Sequence, residues 1–260
     1  MILRRLAQSL KEQNWTAIWI EFVLLVAGVY LGIQVANWNA ARLDSIRAQA
    51  YLERIRDDIN IDIASYQDRK SFWSDVSAYG AKGLAYAETG NAEGASQWEL
   101  LLAYFQSSQV AEVYMNNATF EELKSAGEVG LISDTKIRYE LTRYYLRVFN
   151  PLLTERPRYR EHVRGIIPLD VQKYIWTHCY SSDADGIQKM LPCKSPLDEE
   201  MAAGIVDTIR NDKTLMTELR YWMSSMHVAS IFLEGSIESA TKLRNAIDAM
   251  IGSSKKKQSP

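Results

Sequence analysis

The chain has 260 residues, with 30 basic and 32 acidic side chains, a formal charge of −2, two cysteines and three histidines. So even a balance removes the global polyelectrolyte character of a nucleic-acid-binding chain, and no nucleic-acid partner is expected. Beyond the first 40 or so residues the chain is long enough for a globular unit with a real core, and one helical domain is the simplest organisation.

Met1 to Asn14 place Ile2, Leu3, Leu6 and Leu10 on one side of a helix and Arg4, Arg5 and Lys11 elsewhere, the pattern of a helix lying on a membrane surface. Ile18 to Trp38 is then an apolar run of 21 residues. At about 1.5 Å per residue it makes a helix of roughly 30 Å, the thickness of the hydrocarbon core. The predicted organisation is an amphipathic leader (1–14), a transmembrane anchor (15–39), a helical soluble domain (40–252) and a flexible tail (253–260).

The anchor carries a carboxylate, Glu21, and two glycines four apart, Gly28 and Gly32. At 100° per residue both glycines fall about 20° from Glu21, with Leu25, Val35 and Asn39 within about 40°. Gly-x-x-x-Gly lets helix backbones approach closely, so this face is the predicted self-association surface of a homo-oligomer in the lipid bilayer. A carboxylate facing lipid costs a few kcal/mol or more. Glu21 therefore either reaches headgroup water past the boundary marked by Trp15 and Trp19, or meets its copies in an oligomer and binds a proton or cation. Gln34 and Asn37 lie on the opposite side, where Trp38 is an interfacial anchor and headgroups are the expected neighbours.

Arg4, Arg5 and Lys11 precede the span while Arg42, Arg47, Arg54 and Arg56 follow it, so the positive-inside rule does not decide the orientation. The apolar stretch is too long for a cleavable signal peptide and no small-residue cleavage site follows it. A short N-terminal stub is easier to leave in the cytoplasm than to translocate. We expect a single-pass membrane protein with a cytoplasmic N-terminus and the residues from about 40 onward outside the inner membrane.

Past the span, Leu52, Ile55, Ile59 and Ile63 recur at helical spacing and neither Pro nor Gly interrupts the chain from Ile33 to Tyr79, so one helix is expected to continue into the soluble domain. Gly80 to Gly94 reads as a loop and Trp98 to Ser107 as a helix. Thr119-Phe120-Glu121-Glu122 has the form of a capping box before a short helix ended by Gly127. Ser133-Asp134 opens a helix with Ile137, Leu141, Tyr144, Tyr145 and Val148 in its stripe, stopped by Asn150-Pro151. Ser195-Pro196 with Asp198, Glu199 and Glu200 opens the C-terminal helices. Met201, Ile205, Ile209, Leu215, Leu219, Trp222, Met226, Ile231, Ile237, Leu243, Ile247 and Ile251 are their predicted core. Nothing alternates long enough for a strand. The predicted class is all-α.

Cys179 and Cys193 flank an irregular segment with Gly186 and Pro192, and a disulfide is the expected pairing. The rival, a metal site of His178, Cys179, Cys193 and His162, lacks Cys-x-x-Cys or His-x-x-x-His spacing, and a free buried thiol pair is the third reading. No P-loop, Gly-x-Ser-x-Gly or His-Glu-x-x-His occurs. No catalytic residue, metal or cofactor is assigned. Adjacent acids, Asp57-Asp58 and Glu121-Glu122, point about 100° apart on a helix and are expected to be solvated. Asn117-Ala118-Thr119 is a sequon that coincides with a helix start. From Lys136 to Arg164, arginines alternate with tyrosines. Arg143, Arg147, Arg156, Arg158 and Arg160 are candidates for gripping an anion. The competing reading is ordinary helix surface, because Glu140, Glu155 and Glu161 pair locally and Arg stems cover apolar surface.

The span from Ile20-Glu21-Phe22 through Gln34 to Asn37-Trp38-Asn39 resembles the start of a bacterial family known as domain of unknown function 6090. Thr119-Phe120-Glu121-Glu122-Leu123-Lys124-Ser125-Ala126-Gly127, followed by Leu131-Ile132 and Tyr144-Tyr145, is similar to its second block, with Ala126 where Ser is the pattern. Nothing past Pro151 takes part. The resemblance implies a single-pass envelope protein and no assigned activity.

The expected function is a non-enzymatic, membrane-anchored scaffold or accessory subunit that self-associates and presents its domain to other membrane or periplasmic proteins. Its rivals are an ion- or proton-coupled transducer using Glu21 and an envelope enzyme.

Overall fold

The computed structural model describes residues 15–113, 115–146, 156–183 and 186–258. The leader, Arg147, Val148 and the Asn150-Pro151 stop lie outside them. The chain divides into two units between Leu52 and Glu53. It is all-α, apart from one small hairpin among the described residues.

Helix α1 (Trp15–Thr89) supplies residues to both units. In the first unit, every side chain from Trp19 to Leu43 is exposed. In the second, Ile55, Ile59, Ile63, Tyr66, Trp73 and Val76 are buried along one stripe. The helix does not stop at Gly80 as the loop signal implied. Gly80 and Gly83 are helical because a neighbour needs their space. A Cβ on Gly83 would lie 2.8 Å from Cε1 of Tyr104, and the Tyr104 hydroxyl donates to Gly83 O at 2.9 Å. Since Tyr104 is fully buried and held at its tip, its ring cannot retreat. Gly83→Ala should therefore destabilise by about 1–3 kcal/mol, although alanine gains about 1 kcal/mol of helix propensity. Denaturant unfolding measures this, and a stabilised variant would contradict the close packing.

After a loop with left-handed Gly90 and Gly94, Ser96 caps α2 (Gln97–Gln106) through a reciprocal capping box with Glu99. Leu100 to Gln106 of α2 are all buried, so it is the central helix and apolar nearly all round. Helix α3 (Ala118–Ser125) begins at Asn117, whose side chain makes no cap bond. The predicted Thr119 box does not form because Thr119 lies inside the first turn and is buried. The helix end is as expected. Gly127 adopts φ +69°, with Glu128 N–H on Leu123 O and Gly127 N–H on Lys124 O, the paired bonds of a Schellman cap.

A 3-10 turn (Val129–Leu131) leads to α4 (Thr135–Tyr145), capped by Asp134, which accepts from Lys136 and Ile137. Helices α5 (Arg158–Ile166) and α6 (Leu169–His178) follow. Next comes an antiparallel hairpin, β1 (Tyr180–Ser182) with β2 (Gln188–Met190), in register Tyr180 to Met190. Three-residue strands are too short to leave an alternating pattern, hence the sequence showed none. The cap of α7 (Glu199–Asn211) is Asp198, with Pro196 ahead of it rather than in the first turn. Asp212 then caps α8 (Lys213–Gln258) by accepting from Leu215. Helix α8 runs on to Gln258. Helix α2 packs on α5 and α7, while α4, α5 and α7 pack on α8. Met201 and Ile231, predicted as core, are exposed at 52% and 57%.

Candidate functional site

Among the described residues one helix, near the N-terminus, is long and apolar enough to cross a membrane, and its apolar window is not buried. On it Glu21, Leu25, Gly28, Gly32 and Val35 share one face by helical geometry, with Gln34 and Asn37 on the other. A Cβ on Gly28 or Gly32 would meet nothing within 4 Å. The face is smooth and, among the described residues, uncovered.

Cys179 and Cys193 form a disulfide with Cα atoms 5.1 Å apart, which takes both thiolates out of the rival metal set. His178 instead stacks on Tyr174 at 4.2 Å. His162 sits 3.2 Å from Glu218 and 3.3 Å from Asp212. Among the described residues no three His, Cys, Asp or Glu side chains are arranged to hold a metal.

The arginines separate into two sets. Arg143, Arg156 and Arg158 are exposed, and Arg143 lies 3.8 Å from Glu140. It borders a groove of about 920 Å³ between α4 and α8 with Lys136, Glu238 and Lys242. Charges there alternate in sign, and Lys242 pairs with Glu238. The groove at Arg143 is thus of mixed charge.

Arg160, half-buried on α5, behaves differently and is joined by Arg164 one turn on and by Arg69 of α1, neither of which was singled out from the sequence. Arg160 donates to Ser108 O at 2.7 Å. Arg164 donates to Ser108 Oγ at 3.0 Å and Gln109 Oε1 at 3.1 Å, and lies over Phe105 at 4.7 Å and Trp176 at 5.0 Å. Arg69 clasps the hairpin through Gly186 O at 2.8 Å and Gln188 Oε1 at 3.1 Å. Burial, then Arg156, pulls Arg160 down to about 10. Burial, then Arg160, pulls Arg164 down to about 9. Tyr180, on the hairpin, feels all three guanidiniums, yet burial still holds its phenol above the ordinary value. It stays a hydroxyl donor at neutral pH. The i to i+4 spacing of Arg160 and Arg164 was readable as one helical face. Arg69, about 90 residues earlier, carries no local signal.

A second polar cluster has no signature in the sequence. Asp62 is 1% exposed, accepts from Asn116 N–H at 2.7 Å and from the Tyr144 hydroxyl at 2.7 Å. One turn back Asp58, expected to be solvated, is half-buried and accepts from Asn116 Nδ2 at 3.1 Å. Glu121 and Glu122 are exposed and pair with Lys124 and Arg54.

No protein-family model matches the chain, and neither a curated protein nor a solved structure was found similar to it.

Proposed function

We propose that this chain is a non-enzymatic, single-pass membrane protein that self-associates through the Glu21, Leu25, Gly28, Gly32 and Val35 face and serves as a scaffold or accessory subunit. One observation carries the reading: a membrane-length apolar helix is exposed, and its Glu21 and glycine face is uncovered among the described residues. An apolar surface of that size is unfavourable in water and favourable in lipid. Within lipid the glycine pair gives backbones a close approach, and association removes Glu21 from acyl chains. The reading places the chain in a bacterial inner membrane with its larger unit periplasmic, which the disulfide favours.

The test is chemical cross-linking of the full-length chain in native membranes. Gly28→Leu and Gly32→Leu should each weaken association about tenfold, equivalent to about 1.4 kcal/mol, while Val26→Leu on the far side leaves it unchanged. Equal yields from all three would remove the interface.

The carboxylate on that face supports a second reading, a proton- or ion-coupled transducer. Glu21→Gln separates the two. A scaffold cross-links alike at every pH with either residue, whereas a titrating device shows a pH-dependent yield that the variant abolishes.

A further inference from the structure

Arg160 and Arg164 spend their bonds on the turn that ends α2, where unsatisfied carbonyls carry the negative end of a helix dipole. That accounts for one cation. The dipole end amounts to about half an elementary charge, and two guanidiniums bond to that turn while Arg69 holds the hairpin that carries Tyr180. Neither Arg69, Arg160 nor Arg164 forms an ion pair among the described residues, although carboxylates pair with arginine elsewhere, as Asp207 does with Arg210 at 2.8 Å and Glu88 with Arg220 at 3.3 Å. Among the described residues the charge excess is thus local. It is also held in place: Ser108 and Gln109 are buried, Phe105 and Trp176 back Arg164, and the hairpin fixes Arg69. Like charges fixed together in a half-dry site repel, and an anion offsets that repulsion at little ordering cost.

The donors left over match an oxyanion. Each guanidinium has five N–H groups. Within the described residues Arg160 commits one of them, and Arg69 Nε is buried with no partner. Tyr180 adds a phenol, its ring 4.8 Å from the Trp176 ring over which Arg164 lies. We propose that Arg69, Arg160 and Arg164, with Tyr180, form a binding site for a phosphate-class oxyanion, free or as the headgroup of an anionic lipid. Planar guanidinium forks hold such oxygens in pairs, which lysine in the same place would not do.

The test uses the full-length chain in neutral detergent, titrated with inorganic phosphate against chloride at constant ionic strength and followed by thermal unfolding. A saturable rise in Tm on the order of 5 °C is expected with phosphate. Arg160→Gln and Arg164→Gln should each lose it, while Arg143→Gln, on the mixed-charge groove, keeps it. Arg160→Lys covers the case in which a glutamine variant fails to fold: it retains the charge, and its phosphate affinity should still fall about tenfold. If inorganic phosphate has no effect, the same variants are compared in nanodiscs of phosphatidylcholine with and without phosphatidic acid. A phosphatidic-acid-dependent rise in Tm that Arg160→Gln abolishes assigns the oxyanion to a lipid. No rise with either probe, or a rise that survives in both glutamine variants and in Arg160→Lys, overturns the proposal.

Discussion

Replacing both cysteines, Cys179→Ala with Cys193→Ala, should lower the unfolding free energy by about 3 kcal/mol and the Tm by roughly 6–12 °C, and a reducing agent should do the same to the native chain alone. The bond closes a segment of sequence separation 14, the loop length for which chain entropy gives that magnitude. Its location adds to the effect. Cys179 is fully buried at the end of α6, its carbonyl accepts from Gln106 Nε2 at 3.2 Å, and Leu191 N–H bonds the same oxygen at 2.8 Å. Cys193 O accepts from Trp98 Nε1 at 3.2 Å. Both ends of the crosslink therefore hold polar groups of α2, and cutting it loosens the hairpin and the ceiling of the core together. Scanning calorimetry with and without reductant decides the matter. Equal sensitivity of native chain and double variant would show that the bridge does not form, and would remove the main support for an oxidising compartment.

That bridge and the exposed span were legible in the sequence because each rests on local arithmetic: two cysteines with nothing else to ligate, and an apolar run of bilayer length. Asp134 and Gly127 were legible for the same reason, since a cap needs only its own turn. What failed was local signal overruled by tertiary contact. Gly80 and Gly83 punctuate a loop in most sequences, but here they make room for Met223 and the Tyr104 ring. Thr119 has the spacing of a cap, yet burial in the first turn of α3 takes it, while Ser96 with Glu99 forms a box of the same spacing ahead of α2. Met201 and Ile231 keep the helical period and still face solvent, because periodicity fixes which residues share a face and not which face is covered. The arginine cluster was half legible. Arg160 was in the predicted set, whereas Arg69 arrives from α1 through contacts that no spacing encodes.

Asp62→Asn should change how stability responds to pH, by about 3 kcal/mol in the variant's favour between pH 4 and pH 7.5. Asp62 falls on the same α1 stripe as Ile55, Ile59, Ile63 and Tyr66, a position that would ordinarily be apolar. Burial pushes its carboxyl from 3.8 up to about 6, against the opposing bonds from Asn116 and Tyr144, and nearby Asp58 pushes the same way. Because the native value lies above the unfolded one, the native state binds the extra proton, and this group's contribution is fully present below pH 4. It is lost as the pH rises through about 6, the shift of about two units corresponding to about 3 kcal/mol. Asparagine has no proton to lose. Its oxygen still accepts from the Asn116 backbone, but its amide cannot accept from the Tyr144 hydroxyl, so a constant penalty of about 1–3 kcal/mol is superimposed at every pH. Denaturant unfolding of both chains across that range separates the two effects, the offset reporting the lost bond and the slope reporting the proton. A difference that stays flat with pH would mean that Asp62 ionises as it does in water. The cluster would then be a hydrated pocket instead of the dry clamp by which α1 holds Asn116 and α4.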